Sequence, residues 1–148
     1  MDNRLGSIIQ GRETYTIDKD MTVLEAARYM AEKRVGAVPV LSANRLVGVF
    51  SERDLMVRVV VAGLTASSTY VSEVMTREVA VGRPGESYEE GMRRMQQAKC
   101  RHLPICDGDR LLGFISLRDL LQVEIDEKLE EIKIMNEYIH STPSGSGV

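Results

Sequence analysis

The chain has 148 residues, 43% of them hydrophobic and 28% charged, which is the size and balance of one globular body with a real core. Its formal net charge of -3 gives no long-range electrostatic reason for nucleic acid or an anionic membrane to be the main partner. The longest apolar run, 57–64, is broken by Arg58 and falls far short of the roughly 20 residues that cross a bilayer.

Met1-Asp2-Asn3-Arg4 opens no apolar signal segment, so a cytoplasmic location is expected. Cys100 and Cys106 have neither C-x-x-C redox spacing nor a paired metal-ligand pattern, and are expected as buried, reduced thiols.

In chain order, Thr14-Tyr15-Thr16-Ile17 reads as a short strand. Thr22 with Glu25 three residues on forms a capping box in sequence, and a helix follows to about Arg34. Its apolar positions Val23, Ala26, Ala27, Met30 and Ala31 recur at three and four, predicting one buried face. Ala37 to Leu41 and Arg45 to Phe50 make a hairpin around Ser42-Ala43-Asn44. Ser51 ends that hairpin and Asp54 falls in the first turn of the next helix.

Ala66-Ser67-Ser68-Thr69 is a connector that puts an internal boundary near residue 68, and Val71 to Met75 is a short helical entry to the second half of the chain. Ser87 and Glu90 repeat the box, Asp107-Gly108-Asp109 repeats the turn, and a last helix runs from near Leu117 to about Tyr138. Ile125, Leu129, Ile132, Met135 and Ile139 lay an apolar seam along it that calls for a partner surface, most simply a second copy of the chain. Ser141 to Val148, rich in Ser, Gly and Pro, is expected as a disordered tail.

These elements occur twice. Pro39 pairs with Pro104, an offset of 104 minus 39, or 65, and the same offset pairs Gly48 with Gly113, Ser51 with Ser116, Arg53 with Arg118 and Asp54 with Asp119. It also matches Ser7 with Ser72, Arg12 with Arg77 and Glu25 with Glu90. Units of some sixty residues bury little surface alone, so two of them sharing a core is the expected arrangement. The fold class is therefore α/β (α+β): two pseudo-symmetric β-α-β-β-α units, 1–68 and 69–125, with a helical extension over 126–140 and a tail over 141–148.

A serine at a strand end and an aspartate one helical turn later form a polar pair beside a helix N-terminus. Asp54 and Asp119 each offer two acceptor oxygens at the spacing of a sugar diol, while helix starts with Arg53 and Arg118 favour phosphate. The plain alternative is that Ser51 and Ser116 are N-caps and the aspartates complement the helix dipole.

Both motifs in both copies resemble the paired cystathionine-β-synthase (CBS) domain family, the Bateman module, over about residues 5–125. The signatures are Gly36-Ala37-Val38-Pro39 with Gly48-Val49-Phe50-Ser51-Glu52-Arg53-Asp54, and Arg101-His102-Leu103-Pro104 with Gly113-Phe114-Ile115-Ser116-Leu117-Arg118-Asp119. The stretch Leu129 to Ile139 is similar to that of small stand-alone CBS-pair proteins. The resemblance implies a regulatory adenosine-ligand sensor that binds AMP, ADP, ATP, NAD(H) or S-adenosylmethionine between the units.

Carried over by position, Asp54 and Asp119 would hold the ribose diol, with Ser51 and Ser116 beside ribose or phosphate. Thr16, Ile17 and Asp18, and Val81 in the second copy, would flank the adenine. Ala37, Val38 and Pro39, or Leu103 and Pro104, would line its other face. Lys99, Arg101 and His102, with Arg53 or Arg118 from the facing copy, would meet phosphate, which favours the second cleft. Gly82 in place of an isoleucine implies that this second site is wider.

No G-x-G-x-x-G, Walker loop or H-E-x-x-H is present, and His102 and His140 have no partner at catalytic or metal-binding spacing, so neither an enzyme nor a metal site is expected. The expected partners are an adenine nucleotide, a second copy of the chain and a regulated protein. The competing reading is a ligand-free dimerisation scaffold that contacts another protein.

Overall fold

The computed structural model describes residues 2–141. Copy one comprises α1 (Leu5–Ile8), β1 (Ile17–Asp18), α2 (Val23–Lys33), β2 (Ala37–Ser42), β3 (Arg45–Ser51) and α3 (Glu52–Asp54), which continues as a π-helical stretch over Leu55–Val60. Copy two comprises α4 (Val71–Val74), α5 (Tyr88–Ala98), β4 (His102–Asp107), β5 (Arg110–Ser116) and α6 (Leu117–Ser141). Ser141 thus closes α6, and the rest of the expected tail, 142–148, lies outside the described residues.

The strands form one sheet in the order β1-β2-β3-β5-β4. The two hairpins meet at their tips through Arg45 opposite Arg110. Copy two has a counterpart of β1 in a single parallel bridge, Gly82 to Ile105, 65 residues beyond the Ile17 to Val40 pair. The first strand is shorter than expected, since residues 14–16 run without sheet partners and pairing starts at Ile17. Both hairpins are irregular at the same place, Val40/Leu41 and Ile105/Cys106.

The Thr22 and Ser87 hydroxyls accept from the Glu25 and Glu90 N–H groups at 3.2 Å and start α2 and α5 as the capping pattern requires. Both helices end in a left-handed residue, Arg34 (φ 58°) and Lys99 (φ 55°). The buried face of α2 is Val23, Ala26 and Met30; Ala31, expected inside, is exposed because the stripe follows a three-four spacing from Val23 and stops there. Cys106 is buried as expected, whereas Cys100 is only partly so.

Each copy's opening helix packs on the core of the other. Leu5, fully buried, sits with Tyr88, Met95, Leu103, Ile105, Ile115 and Leu120, while Val71, Val74 and Met75 sit with Ile17, Val23, Met30, Val40 and Phe50. Backbone hydrogen bonds fix the exchange: Leu5 N–H to Glu86 C=O at 2.9 Å, and Val71 N–H to Met21 C=O at 2.9 Å. Here the equivalence is Leu5 with Val71, an offset of 71 minus 5, or 66. The match of Ser7 with Ser72 is therefore one residue out of structural register.

The exchange explains three glycines. A Cβ on Gly48 would lie 2.7 Å from the Thr76 carbonyl oxygen, and one on Gly113 would lie 2.7 Å from Ile9, so the crossing segment excludes a side chain at both positions. A Cβ on Gly82 would lie 2.8 Å from Leu5 and from Ile105. Leu5 fills the space left by Gly82, as the smaller Val71 accompanies Ile17 in copy one, and no widened wall results.

Leu5→Ala is expected to destabilise the chain by about 2–5 kcal/mol in chemical denaturation, as for a core leucine, despite its place near the N-terminus. A loss below about 0.5 kcal/mol, the level of an ordinary surface change, would contradict the exchanged core.

Candidate functional site

Ser51 and Ser116 end β3 and β5, and each starts a helix whose third residue is aspartate. In copy one the Ser51 N–H donates to Asp54 Oδ2 at 3.0 Å and the Asp54 N–H donates to Ser51 Oγ at 3.2 Å. In copy two the Ser116 N–H donates to Asp119 Oδ2 at 2.9 Å and the Asp119 N–H donates to Ser116 Oγ at 3.1 Å. Both pairs are reciprocal capping boxes, with aspartate where glutamate is more usual.

Beyond the boxes the copies diverge. Asp54 is 6% exposed. Its Oδ2 also accepts from Ser51 Oγ at 3.1 Å, its Oδ1 accepts from Thr76 Oγ1 at 3.0 Å, and Arg58 Nε lies 3.6 Å away. The segment bearing Thr76 is zipped to β3 by Val49 N–H to Thr76 C=O and Thr76 N–H to Val49 C=O, both 2.9 Å. Because the Val49 backbone bonds point to Thr76, Pro39 on the opposite strand, which has no N–H, leaves none of them unmet. Asp54 is therefore sealed.

The Asp119 side chain is 31% exposed, with Arg12 Nη1 3.1 Å from Oδ2 and no protein donor on Oδ1 among the described residues. No bridge from the crossing segment to Phe114, the counterpart of Val49, is formed among the described residues. A cleft of about 820 Å³ opens there, lined by residues 12–15 and 34–37 of copy one and by Arg101, His102, Phe114, Ser116 to Asp119 and Leu121 of copy two. Burial alone raises the Asp119 carboxyl, but the Ser116 N–H and the Arg12 guanidinium outweigh it and hold the group below the ordinary carboxylate value.

His102 stacks on Phe114, with ring centroids 5.2 Å apart and planes 11° from parallel. Burial lowers its pKa, assisted by Arg101 and opposed by Asp119 and Glu52, so at neutral pH it offers a hydrogen bond rather than a charge. The positive charge of the cleft comes from Arg12, Arg34, Arg101 and Arg118, against the carboxylates of Glu13 and Asp119.

Of the residues singled out in the sequence, Ala37, Arg101, His102, Ser116, Arg118 and Asp119 meet in this cleft. Ser51 and Asp54 form the sealed box, and Arg53 is exposed outside the cleft. Thr16 lines a separate hollow of about 580 Å³ at the hairpin tips, with Thr14, Arg45 and Arg110. Ile17, Val38, Pro39, Leu103 and Pro104 are buried in the sheet. Asp18 is exposed and accepts from the Asp20 N–H at 2.8 Å.

Val81 gives its carbonyl to Arg94 at 2.6 Å and does not line the cleft, and Lys99 is an exposed helix cap. Arg12, Tyr15, Arg34 and Phe114 complete the cleft without having been singled out. The offset of 65 from Lys99 already pointed to Arg34. The cleft also pairs the aspartate of copy two with the strand approach of copy one, so the Val81-Gly82 departure has no bearing on it.

The CBS-domain family model matches residues 8–61 and 71–126. The chain belongs to the CBS-domain family. It is 38% identical over 105 residues to the CBS domain-containing protein YhcV of Bacillus subtilis, covering 71% of this chain and 74% of that one. It is 30% identical over 125 residues to the mitochondrial CBSX3 of Arabidopsis thaliana, covering 81% of this chain and 61% of that longer protein. The solved structure of a protein with CBS domains from Burkholderia ambifaria superposes with a TM-score of 0.77 at 35% identity, over 83% of this chain and 94% of that one.

Two more distant structures share the fold of this CBS pair. CBSX2 in complex with AMP has a TM-score of 0.73 at 24% identity, over 86% and 99% of the two chains. The CBS pair of protein MJ0100 in complex with 5′-methylthioadenosine and S-adenosyl-L-methionine has a TM-score of 0.73 at 18% identity, over 84% and 97%. Among the described residues no helix is long and apolar enough to cross a membrane.

The two boxes are expected to respond differently to mutation. Asp54→Ala removes a cap and leaves the part-buried Ser51 and Thr76 donors unpaired, for a loss of about 2 kcal/mol, whereas Asp119→Ala costs about the 1 kcal/mol of a cap. The Asp119 contribution is fully present above the unfolded carboxylate value of about 3.9 and fades as pH falls through the lower folded value, so wild type and Asp119→Asn should converge in stability on acidification. Denaturation of each variant from neutral pH down to about pH 2.5 measures both effects; equal losses at neutral pH would show that the two boxes are equivalent.

Proposed function

We propose that this CBS pair is a regulatory sensor that binds one adenosine nucleotide, AMP, ADP, ATP or NAD(H), in the cleft at Asp119, and signals through a homodimer. The supporting observation is the contrast between the carboxylates. Asp54 has its acceptor positions filled by Ser51, Thr76 and Arg58, whereas Asp119 faces a cleft with an open oxygen and arginines around it. A diol fits the open carboxylate and a phosphate fits the guanidinium groups. The complexes of its structural relatives with adenosine compounds agree with this reading.

The exposed apolar residues support a dimer. Met56, Val60 and Leu64 are exposed, and so are Leu121, Ile125 and Leu129, each 65 residues later. The repeat therefore presents one two-part apolar face, which continues along α6 through Ile132, Met135 and Ile139. A second copy is the simplest cover for such a self-repeating face. This apolar face also favours the alternative reading of a ligand-free scaffold, in which both aspartates are only caps.

Calorimetric titration with AMP, ADP, ATP, NAD, NADH and S-adenosylmethionine separates the readings. At least one nucleotide should bind wild type and the folded Asp54→Ala variant, and binding to Asp119→Ala should weaken by about tenfold or more, the loss of one charge-assisted bond. Undiminished binding to Asp119→Ala would move the site elsewhere, and no heat from nucleotide-free protein would leave the scaffold reading.

Light scattering should give twice the protomer mass for wild type. The triple variant Leu129→Glu, Ile132→Glu, Met135→Glu should give one protomer with unchanged circular dichroism. A variant that remains dimeric would remove α6 from the interface.

A further inference from the structure

The ion pair at Asp119 bears on which ligands the cleft accepts, provided the nucleotide site proposed above is correct. Arg12 lies in the connection between α1 and β1, outside regular structure, and its side chain is 43% exposed. Its guanidinium sits 3.1 Å from Asp119 Oδ2 in the unliganded chain. One oxygen of the carboxylate suited to a ribose diol, Oδ2, is therefore already engaged by a cation, while Oδ1 stays open. The cation is held at one end only, since no second ion pair of Arg12 is formed among the described residues.

An incoming diol that uses both carboxylate oxygens competes with Arg12 for Asp119 Oδ2. A nucleoside breaks a charge-assisted contact and gives the guanidinium nothing in return, whereas a 5′-phosphorylated nucleotide brings its own anion into reach of the displaced arginine. A cationic ligand such as S-adenosylmethionine displaces one cation with another, in a cleft that also holds Arg34, Arg101 and Arg118.

We infer that Arg12 is a specificity-determining residue that restricts the cleft to ribonucleotides bearing both a free 2′,3′-diol and a phosphate, by occupying Asp119 until a phosphate receives it. Copy one holds no such exchangeable partner: Asp54 is held by the neutral hydroxyl of Thr76 and by Arg58 from its own helix, and it is buried. Selection of this kind acts through the difference between two ligands and not through the affinity of one.

The test is calorimetry with AMP and with adenosine, on wild type, Arg12→Ala and Arg12→Lys, each checked for native circular dichroism. Wild type should prefer AMP by about tenfold or more, the value of one charge-assisted bond. In Arg12→Ala, AMP should weaken while adenosine holds or tightens, so that the ratio falls by about tenfold. Arg12→Lys, which keeps the charge but loses the fork, should lie between them. An AMP-to-adenosine ratio unchanged in Arg12→Ala, with both ligands still binding, overturns the role of Arg12 and leaves the nucleotide site standing. Absence of binding by both ligands to all three proteins overturns the site and this inference together.

Discussion

The arrangement depends on the backbone clamps that hold each copy's opening segment on the other copy, Leu5 N–H to Glu86 C=O and Val71 N–H to Met21 C=O. A sixty-residue unit buries only a marginal share of its surface by itself, and exchanging the first helix gives each core a further wall. Because Leu5 closes the core of copy two, the next stretch of chain, residues 12–15, must run past Asp119 before it reaches β1. A cleft composed of both copies is thus a consequence of how the cores are completed.

The exchange is symmetric, but its result is not. In copy one the crossing segment adds a bridge to β3 at Val49, and this brings the Thr76 hydroxyl onto Asp54. In copy two no such bridge reaches Phe114 among the described residues, and the ring instead carries His102 at one side of the cleft. The helix-start residues differ in the same sense, since a Cβ on Gly36 would lie 3.3 Å from the Glu52 carboxylate, whereas copy two has Leu117 at that position. One copy closes its aspartate with neutral and local donors, and the other leaves its carboxylate to a half-exposed cation in a basic cleft.

Much of this was legible in the sequence because the same physical demand occurs twice. Gly48 and Gly113 recur because the crossing chain passes too close for a Cβ in both copies, and Ser51 with Asp54 recurs in Ser116 with Asp119 because a strand must turn into a helix at both places. The hairpins were visible for the same reason. What the repeat could not reveal is which copy supplies which wall. Position matching assigned Val81 and Gly82 to the Asp119 cleft, but the exchanged segments bring Tyr15 and Arg12 there, and Leu5 occupies the space at Gly82. The offset also slips from 65 to 66 ahead of β1, where a loop absorbs one residue without disturbing the core, so a rigid match misplaces the opening helix by one position.

The proposed sensor and its output share one element. Asp119 lies in the first turn of α6, a helix of 25 residues, about 37 Å long, whose far half carries the exposed apolar seam. Any ligand that takes Asp119 from Arg12 acts directly on the start of that helix, while the other wall of the cleft is fixed to copy one. A ligand bridging the two therefore biases their relative placement, and the bias reaches the seam through a continuous helix without needing a further relay. Its size is bounded by the ligand's differential affinity for the two arrangements, of the order of 1–3 kcal/mol, which is sufficient to change the population of a dimer geometry or of a docked partner severalfold.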